Sequence, residues 1–242
     1  MANILIIGAG VMGTALTVPA SDNGHQVVLA GTPLDEAAVA SMQGAGRKHP
    51  RLDEPLPANV RVIPDAALTA DDTDRADLIV IGVSSPGINW AVERLNGLLR
   101  RNTKVAFVTK GLDRKDGDVV TFAETVPERV DHLATFIGIG GPCIARELAL
   151  RLPTASVYAA RNKADAVEAA ALFRSPYYRL TVSDDLTGVE ACAALKNFFA
   201  IGVSAMQTRY PDALRADGQS KNPTAAAFNQ AVLEMAQLSE MI

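Results

Sequence analysis

Cysteine is scarce in this chain. Only Cys143 and Cys192 occur among 242 residues. They lie too far apart for a metal-type spacing and are too few for a disulfide scaffold, so reduced thiols of a cytoplasmic protein are the expectation. Charge of one sign is not in excess either: 27 acidic residues against 23 basic ones leave −4. That balance suits solubility and offers no footprint for nucleic acid or an anionic membrane surface. No uninterrupted run of 18 apolar residues is present, which predicts no membrane span. The start, Met1-Ala2-Asn3, has no basic region of the kind that opens a signal peptide. Internal repeats and low-complexity tracts are also missing. Histidines number three, scattered at His25, His49 and His132, and none stands at the carboxyl end of a predicted strand, where a ligand would face it.

What the chain does have is alternation. Apolar runs at 3–7, 25–30, 60–64, 76–83, 104–109, 134–141, 155–160 and 178–185 read as strands. Helical stretches at 13–21, 33–43, 87–100, 119–130, 142–150 and 163–175 fall between them. Strands alternating with helices predict an α/β fold with a doubly wound parallel sheet. After residue 186 the character changes to long Ala-rich stretches with no strand signal, "LTGVEACAALKNFFAIGVSAMQTRY" and "NPTAAAFNQAVLEMAQLSEMI". A boundary is therefore expected near residue 187, with a domain at 1–187 and a helical one at 188–242.

The first strand runs into Gly8-Ala9-Gly10-Val11-Met12-Gly13. This is G-x-G-x-x-G between a strand and a helix, the context in which the motif binds a dinucleotide. The first glycine makes the turn, the second admits the pyrophosphate, and the third lets helix and strand pack closely. A ligand-free glycine turn is the competing reading. The second strand should end on an acid that binds the ribose 2′-OH. Instead it ends Gly31-Thr32-Pro33, with Asp35 and Glu36 only in the following helical turn. Arg47 and Lys48 are candidates for a 2′-phosphate, so NAD and NADP both stay open.

Two lysines are candidates for acid–base work. Lys110 follows the strand "VAFVT" at its carboxyl end, where open parallel sheets bind ligands. Lys196, followed by Asn197, interrupts an otherwise apolar helical stretch. It is either a snorkelling surface residue or an amine whose pKa is lowered by burial.

"GAGVMGTAL", "VTKGLD", "GGPCIARELA", "GVEACAALKNFFAIGVSAM" and "NPTAAAFNQAVLEM", in this order, resemble the soluble NAD(P)-dependent glycerol-3-phosphate dehydrogenase family through essentially the whole chain. The resemblance implies a Rossmann-type domain followed by an all-helical domain like that of 6-phosphogluconate dehydrogenase, with the active site between them. It implies reversible reduction of dihydroxyacetone phosphate, a phosphorylated small-molecule substrate, with NAD or NADP. By the same resemblance Lys196 is the general acid/base and Lys110 touches substrate and cofactor. Gly141, Cys143 and Asn197 fall on substrate contacts. Val11, Met12, Thr32 and Ala145 fall on cofactor contacts beside the loop glycines Gly8, Gly10 and Gly13. Cys143 replaces the family's Ser or Thr, and "GVSSPG" stands where the family tends to read V-P-S. The family continues past the position of Ile242 with an aspartate and an Arg-Asn pair, so the helical domain is expected to be incomplete and a homodimer is a further expectation. A reductase of another small carbonyl compound and a dinucleotide sensor or inactive paralogue are the alternatives.

Overall fold

The computed structural model describes residues 1–210, 218 and 221–242. In chain order the elements are β1 (Asn3–Ile7), α1 (Val11–Asp22), β2 (Gln26–Ala30), α2 (Glu36–Gln43), β3 (Val60–Ile63), α3 (Ala70–Arg75), β4 (Leu78–Ile81), α4 (Ile88–Leu98), β5 (Thr103–Phe107), β6 (Asp113–Lys115), β7 (Asp118–Val120), α5 (Phe122–Thr125), β8 (Leu133–Gly140), α6 (Ala145–Ala149), β9 (Thr154–Ala159), α7 (Lys163–Phe173), β10 (Tyr178–Ser183), α8 (Leu186–Arg209) and α9 (Lys221–Ser239).

Eight strands form one sheet in the order β10-β9-β8-β5-β4-β1-β2-β3. The six strands from β3 to β8 are mutually parallel. The chain winds outward from β1 through β2 and β3, then starts again at β4 on the other side. This reversal opens a crevice beyond the carboxyl ends of β1 and β4. Successive β1 residues are buried on opposite faces, Ile4 and Ile6 in one core and Leu5 and Ile7 in the other. Layers on both faces of the sheet explain why these strands are uniformly apolar rather than alternating.

Two details differ from the sequence-based expectation. The sheet is not parallel throughout: β9 returns antiparallel to β8, pairing Gly138–Gly140 with Val157–Ala159, and β10 runs parallel to β9. The link between β8 and β9 carries only the five-residue α6. Residues 119–130 are not one helix either. Asp116-Gly117, both with positive φ (53° and 98°), turn β6 into β7, and only Phe122–Thr125 is helical. Asp-Gly is a strong two-residue hairpin signal, because both turn positions need positive φ.

Beyond β10 the described residues hold only the helices α8 and α9. α8 docks on β8 through glycine notches. A Cβ on Gly138 would stand 2.8 Å from Leu186, and one on Gly140 2.8 Å from Val189. Among the described residues α8 is the one helix long and apolar enough to cross a membrane by length and composition. Glu190 and Lys196 are what break its apolar run.

Candidate active site

The glycine loop is shaped by close approach. Gly8 has φ +112°, and a Cβ there would lie 2.8 Å from the Gly82 carbonyl carbon. A Cβ on Gly13 would lie 2.1 Å from the Gly8 carbonyl oxygen, so only glycine lets α1 start this near β1. Gly10 differs. A Cβ there would meet nothing nearer than 3.9 Å, so its missing side chain leaves open space on the crevice side. Gly10 is also the N-cap of α1, with no capping side chain and no acid in the first turn. Unshielded N–H groups and the positive end of a twelve-residue helix therefore face that space, which suits a pyrophosphate. The crevice is a cleft of about 450 Å³. Gly8 and Gly10 line it between a Thr32–Asp35 wall and a wall of Gly82, Val83, Ser84 and Trp90. These residues fit a bound dinucleotide.

Asp35 is committed to the architecture of this cleft. Its Oδ2 accepts from the Ala9 N–H (3.1 Å), the Thr32 N–H (2.9 Å) and the Thr32 hydroxyl (2.8 Å). It thereby ties the two turns after β1 and β2 together. His49, buried, joins the same knot. Its Nδ1 accepts the Arg51 N–H at 3.1 Å. Burial, reinforced by the Arg51 charge, holds its pKa below the usual histidine value, and Asp35 and a hydrogen bond to the Ala9 backbone partly oppose that shift. Arg47 does not approach the cleft. Its guanidinium donates to the Pro57 and Val60 carbonyls at 3.1 and 2.7 Å. Lys48 bridges through its backbone to Pro55.

Lys110 lies just past β5, half-buried. Its carbonyl accepts the Ser85 hydroxyl at 2.6 Å, and the Thr109 hydroxyl donates to the Val83 carbonyl at 2.8 Å. The "GVSSPG" turn thus braces the lysine loop. A small cavity of about 10 Å³ brings Met12, Lys110, Gly141 and Cys143 together with Ser156 and Tyr178. Burial lowers the Lys110 pKa, the Lys196 charge lowers it further, and Cys143 opposes the shift. The buried Cys143 thiol is pushed up by burial, which favours the neutral S–H.

Lys196, half-buried on α8, lines a cleft of about 530 Å³ between α8 and α9 that also includes Gly141, Pro142 and Cys192. Gly141 belongs to both spaces. The two lysines therefore face a shared region from the sheet side and the helix side. Asn197 is exposed, and Ala145 packs against the core beside α1 rather than lining these spaces. Val11 and Met12 are half-buried at the start of α1.

Sequence reasoning missed Ser85, Arg51 and Glu190. Glu190, buried on α8, accepts the Ala123 N–H at 2.8 Å with Oε2 and packs over Gly138. Burial pushes its pKa up to about 7, opposed by that hydrogen bond. The signal was present in part, as a carboxylate inside an apolar helical stretch.

The model of the NAD-dependent glycerol-3-phosphate dehydrogenase N-terminus matches residues 3–166. The NADP(+)-dependent glycerol-3-phosphate dehydrogenase of Archaeoglobus fulgidus is 32% identical over 240 residues, covering 99% of this chain and 70% of that protein. A glycerol-3-phosphate dehydrogenase [NAD(P)+] of Alkalilimnicola ehrlichii is 34% identical over 238 residues, covering 98% and 67%. The crystal structure of glycerol-3-phosphate dehydrogenase from Coxiella burnetii superposes with a TM-score of 0.79 at 27% identity, over 99% of this chain and 69% of that one. The chain spans about two thirds of the length of these relatives. Loop, sheet order and matched residues agree: the chain belongs to the NAD-dependent glycerol-3-phosphate dehydrogenase family.

Proposed function

We propose that this chain carries the NAD(P)H-dependent, reversible reduction of dihydroxyacetone phosphate to sn-glycerol 3-phosphate, with residues 1–187 holding the cofactor and 188–242 contributing to the substrate side. The observation that carries the reading is the pair of lysines facing the space around Gly141, with Lys110 depressed by burial and by the Lys196 charge. The cofactor supplies the hydride. The protein's task is then to bind the phosphorylated ketone, neutralise the oxygen as its carbonyl double bond opens, and deliver one proton to it.

Lys196 is the proposed general acid/base, giving its proton to the new alkoxide in reduction and taking it back in oxidation. Lys110 holds a second positive charge near the same oxygen, favouring the state in which that oxygen is most negative. Gly141 is the proposed substrate contact on the sheet side, and glycine is needed there because φ is +105° and a Cβ would stand 3.0 Å from the Ser156 Cα. Cys143 contributes a weak S–H donor where a hydroxyl would bond more strongly, with Asn197 as a further substrate contact. Val11, Met12 and Thr32 are the proposed cofactor contacts beside the loop glycines, whereas Ala145, packed against the core, is left out. A homodimer and a cytoplasmic location complete the proposal.

The test is NAD(P)H oxidation by the purified protein with dihydroxyacetone phosphate and, separately, dihydroxyacetone. Turnover is expected only with the phosphate. Lys196→Ala should lower kcat by about 10²–10⁴-fold while dinucleotide binding persists. Normal turnover in that variant removes Lys196 from the mechanism, and equal rates with the unphosphorylated ketone point to a different carbonyl reductase.

A further inference from the structure

Arg51 stands at the mouth of the cofactor cleft, and nothing in the reaction proposed above uses it. It lines the cleft beside Thr32, Pro33 and Leu34, the wall that follows β2. In a doubly wound sheet that wall meets the adenosine ribose.

The segment carrying Arg51 is firmly seated. Leu52 and Leu56 are buried in the core, and the Arg47 guanidinium pins the segment to the carbonyls of Pro57 and Val60. The Arg51 backbone N–H donates to the buried His49, which reaches the Ala9 backbone of the glycine loop. The side chain is exposed, and no hydrogen bond or ion pair of its guanidinium appears among the described residues. This is a cation on a rigid base, turned toward a ligand space and not spent on the fold.

The acid that would favour a free ribose hydroxyl is compromised. Gly31 directly follows β2 where that acid normally stands, and Oδ2 of Asp35 already accepts three protein donors. From these two observations we propose that Arg51 reads the 2′-phosphate of the cofactor and makes the cleft selective for NADP(H) over NAD(H). A guanidinium presents several N–H donors in a planar fork that matches phosphate oxygens. The Thr32 hydroxyl, held by Asp35, marks the adjoining edge of the wall.

The proposal rests on the dinucleotide reading of the cleft, and a binding measurement separates the two. Calorimetric titration of the whole protein with adenosine 2′,5′-bisphosphate, with AMP and with NADH needs no turnover. The bisphosphate is expected to bind about tenfold or more tighter than AMP. That ratio should fall toward one in Arg51→Ala and invert in Arg51→Glu, with Arg51→Lys restoring part of it. Added salt should reduce the ratio, because the contact is exposed. Equal affinities in the unaltered protein, or a ratio that Arg51→Ala leaves unchanged, would overturn the role of Arg51 while leaving the dehydrogenase reading intact. Failure of all three ligands to bind would overturn the cofactor reading and this proposal with it.

Discussion

The cofactor side and the helix side of this molecule are built by different means. Around the glycine loop the fit is made by backbone. Gly8, Gly13 and Gly82 approach one another so closely that no Cβ has room, and Asp35 fixes two turns at once. On α8 and α9 burial is sparse and clusters near the start of α8, with Phe199 and Ala231 the buried positions further along. Leu186, Glu190 and Ala191 are buried, whereas Phe198 and Ile201 are 71% and 72% exposed and Phe228 on α9 is 61% exposed. The contrast shows where precision is needed. Strand, loop and helix backbones packed this closely tolerate no added methyl group, while a lysine on a long side chain can be delivered by a helix anchored mainly near its start. Gly13→Ala is therefore the most damaging single change. Its Cβ would collide with a backbone oxygen that cannot rotate away, and a loss of about 3 kcal/mol or more is expected, at the top of the range for overpacking. Urea denaturation checks this, and a loss below 1 kcal/mol would mean that α1 can slide away from β1.

Glu190 lies on the seam between the two regions, and it sharpens the comparison through pH. Its carboxyl sits between α8, β8 and the start of α5, and burial raises its pKa from 4.5 in the unfolded chain to about 7. Between those values the folded protein holds a proton that the unfolded chain has released. Stability from this group is thus fully present below about pH 4.5, falls as pH rises through that window, and levels off above about 7. The full swing is at most on the order of 3 kcal/mol. Glu190→Gln keeps an acceptor for the Ala123 N–H without the ionisation. It should flatten this part of the stability–pH curve and make the variant the more stable form near pH 8. Parallel curves for the two proteins would show that the seam is wetter than its burial implies.

Ser85 belongs to the cofactor side and predicts a smaller effect. Its hydroxyl donates to the Lys110 carbonyl at 2.6 Å, and a Cβ on Gly111 would collide with it. Ser85→Ala removes one hydrogen bond worth about 1 kcal/mol. Because the loop it braces carries Lys110, KM for the ketone and kcat should both worsen by a few fold while the melting temperature drops only slightly.

How much of this was legible depends on whether a feature is local in sequence. The strands were readable because both faces of each are buried, so Ile, Val and Leu accumulate in short runs such as "LIVI". The glycine loop and Lys110 were readable because motif and strand end are adjacent in the chain. The reversal of β9 was not, since an apolar strand reads the same in either direction. The β6–β7 hairpin was obscured because Ala123, Glu124 and their neighbours resemble a helix, although Asp116-Gly117 carried the turn. The cations beside the cleft were hard to sort for a different reason. Arg47 and Lys48 are near the cleft in sequence, but the Arg47 guanidinium is consumed by two carbonyls, and it is Arg51 that reaches the wall. Which of several neighbouring cations stays free is decided by the tertiary fold.

The smallest expected effect tests the helix side directly. Gly202 lies in the outer half of α8, and a Cβ there would meet nothing within 4 Å. Gly202→Ala should therefore add helix propensity with no steric cost, stabilising by about 0.5–1 kcal/mol. That gain reaches global unfolding only if the outer half of α8 unfolds together with the sheet. A shift of that size in the urea midpoint would show that the anchorage at Gly138 and Gly140 carries the whole helix as one cooperative unit. An unchanged midpoint, with amide exchange slowed only around residue 202, would show that the outer half opens on its own. The helix side would then be held by its first turns alone, and Lys196, in the middle of α8, would mark the limit of the rigid part.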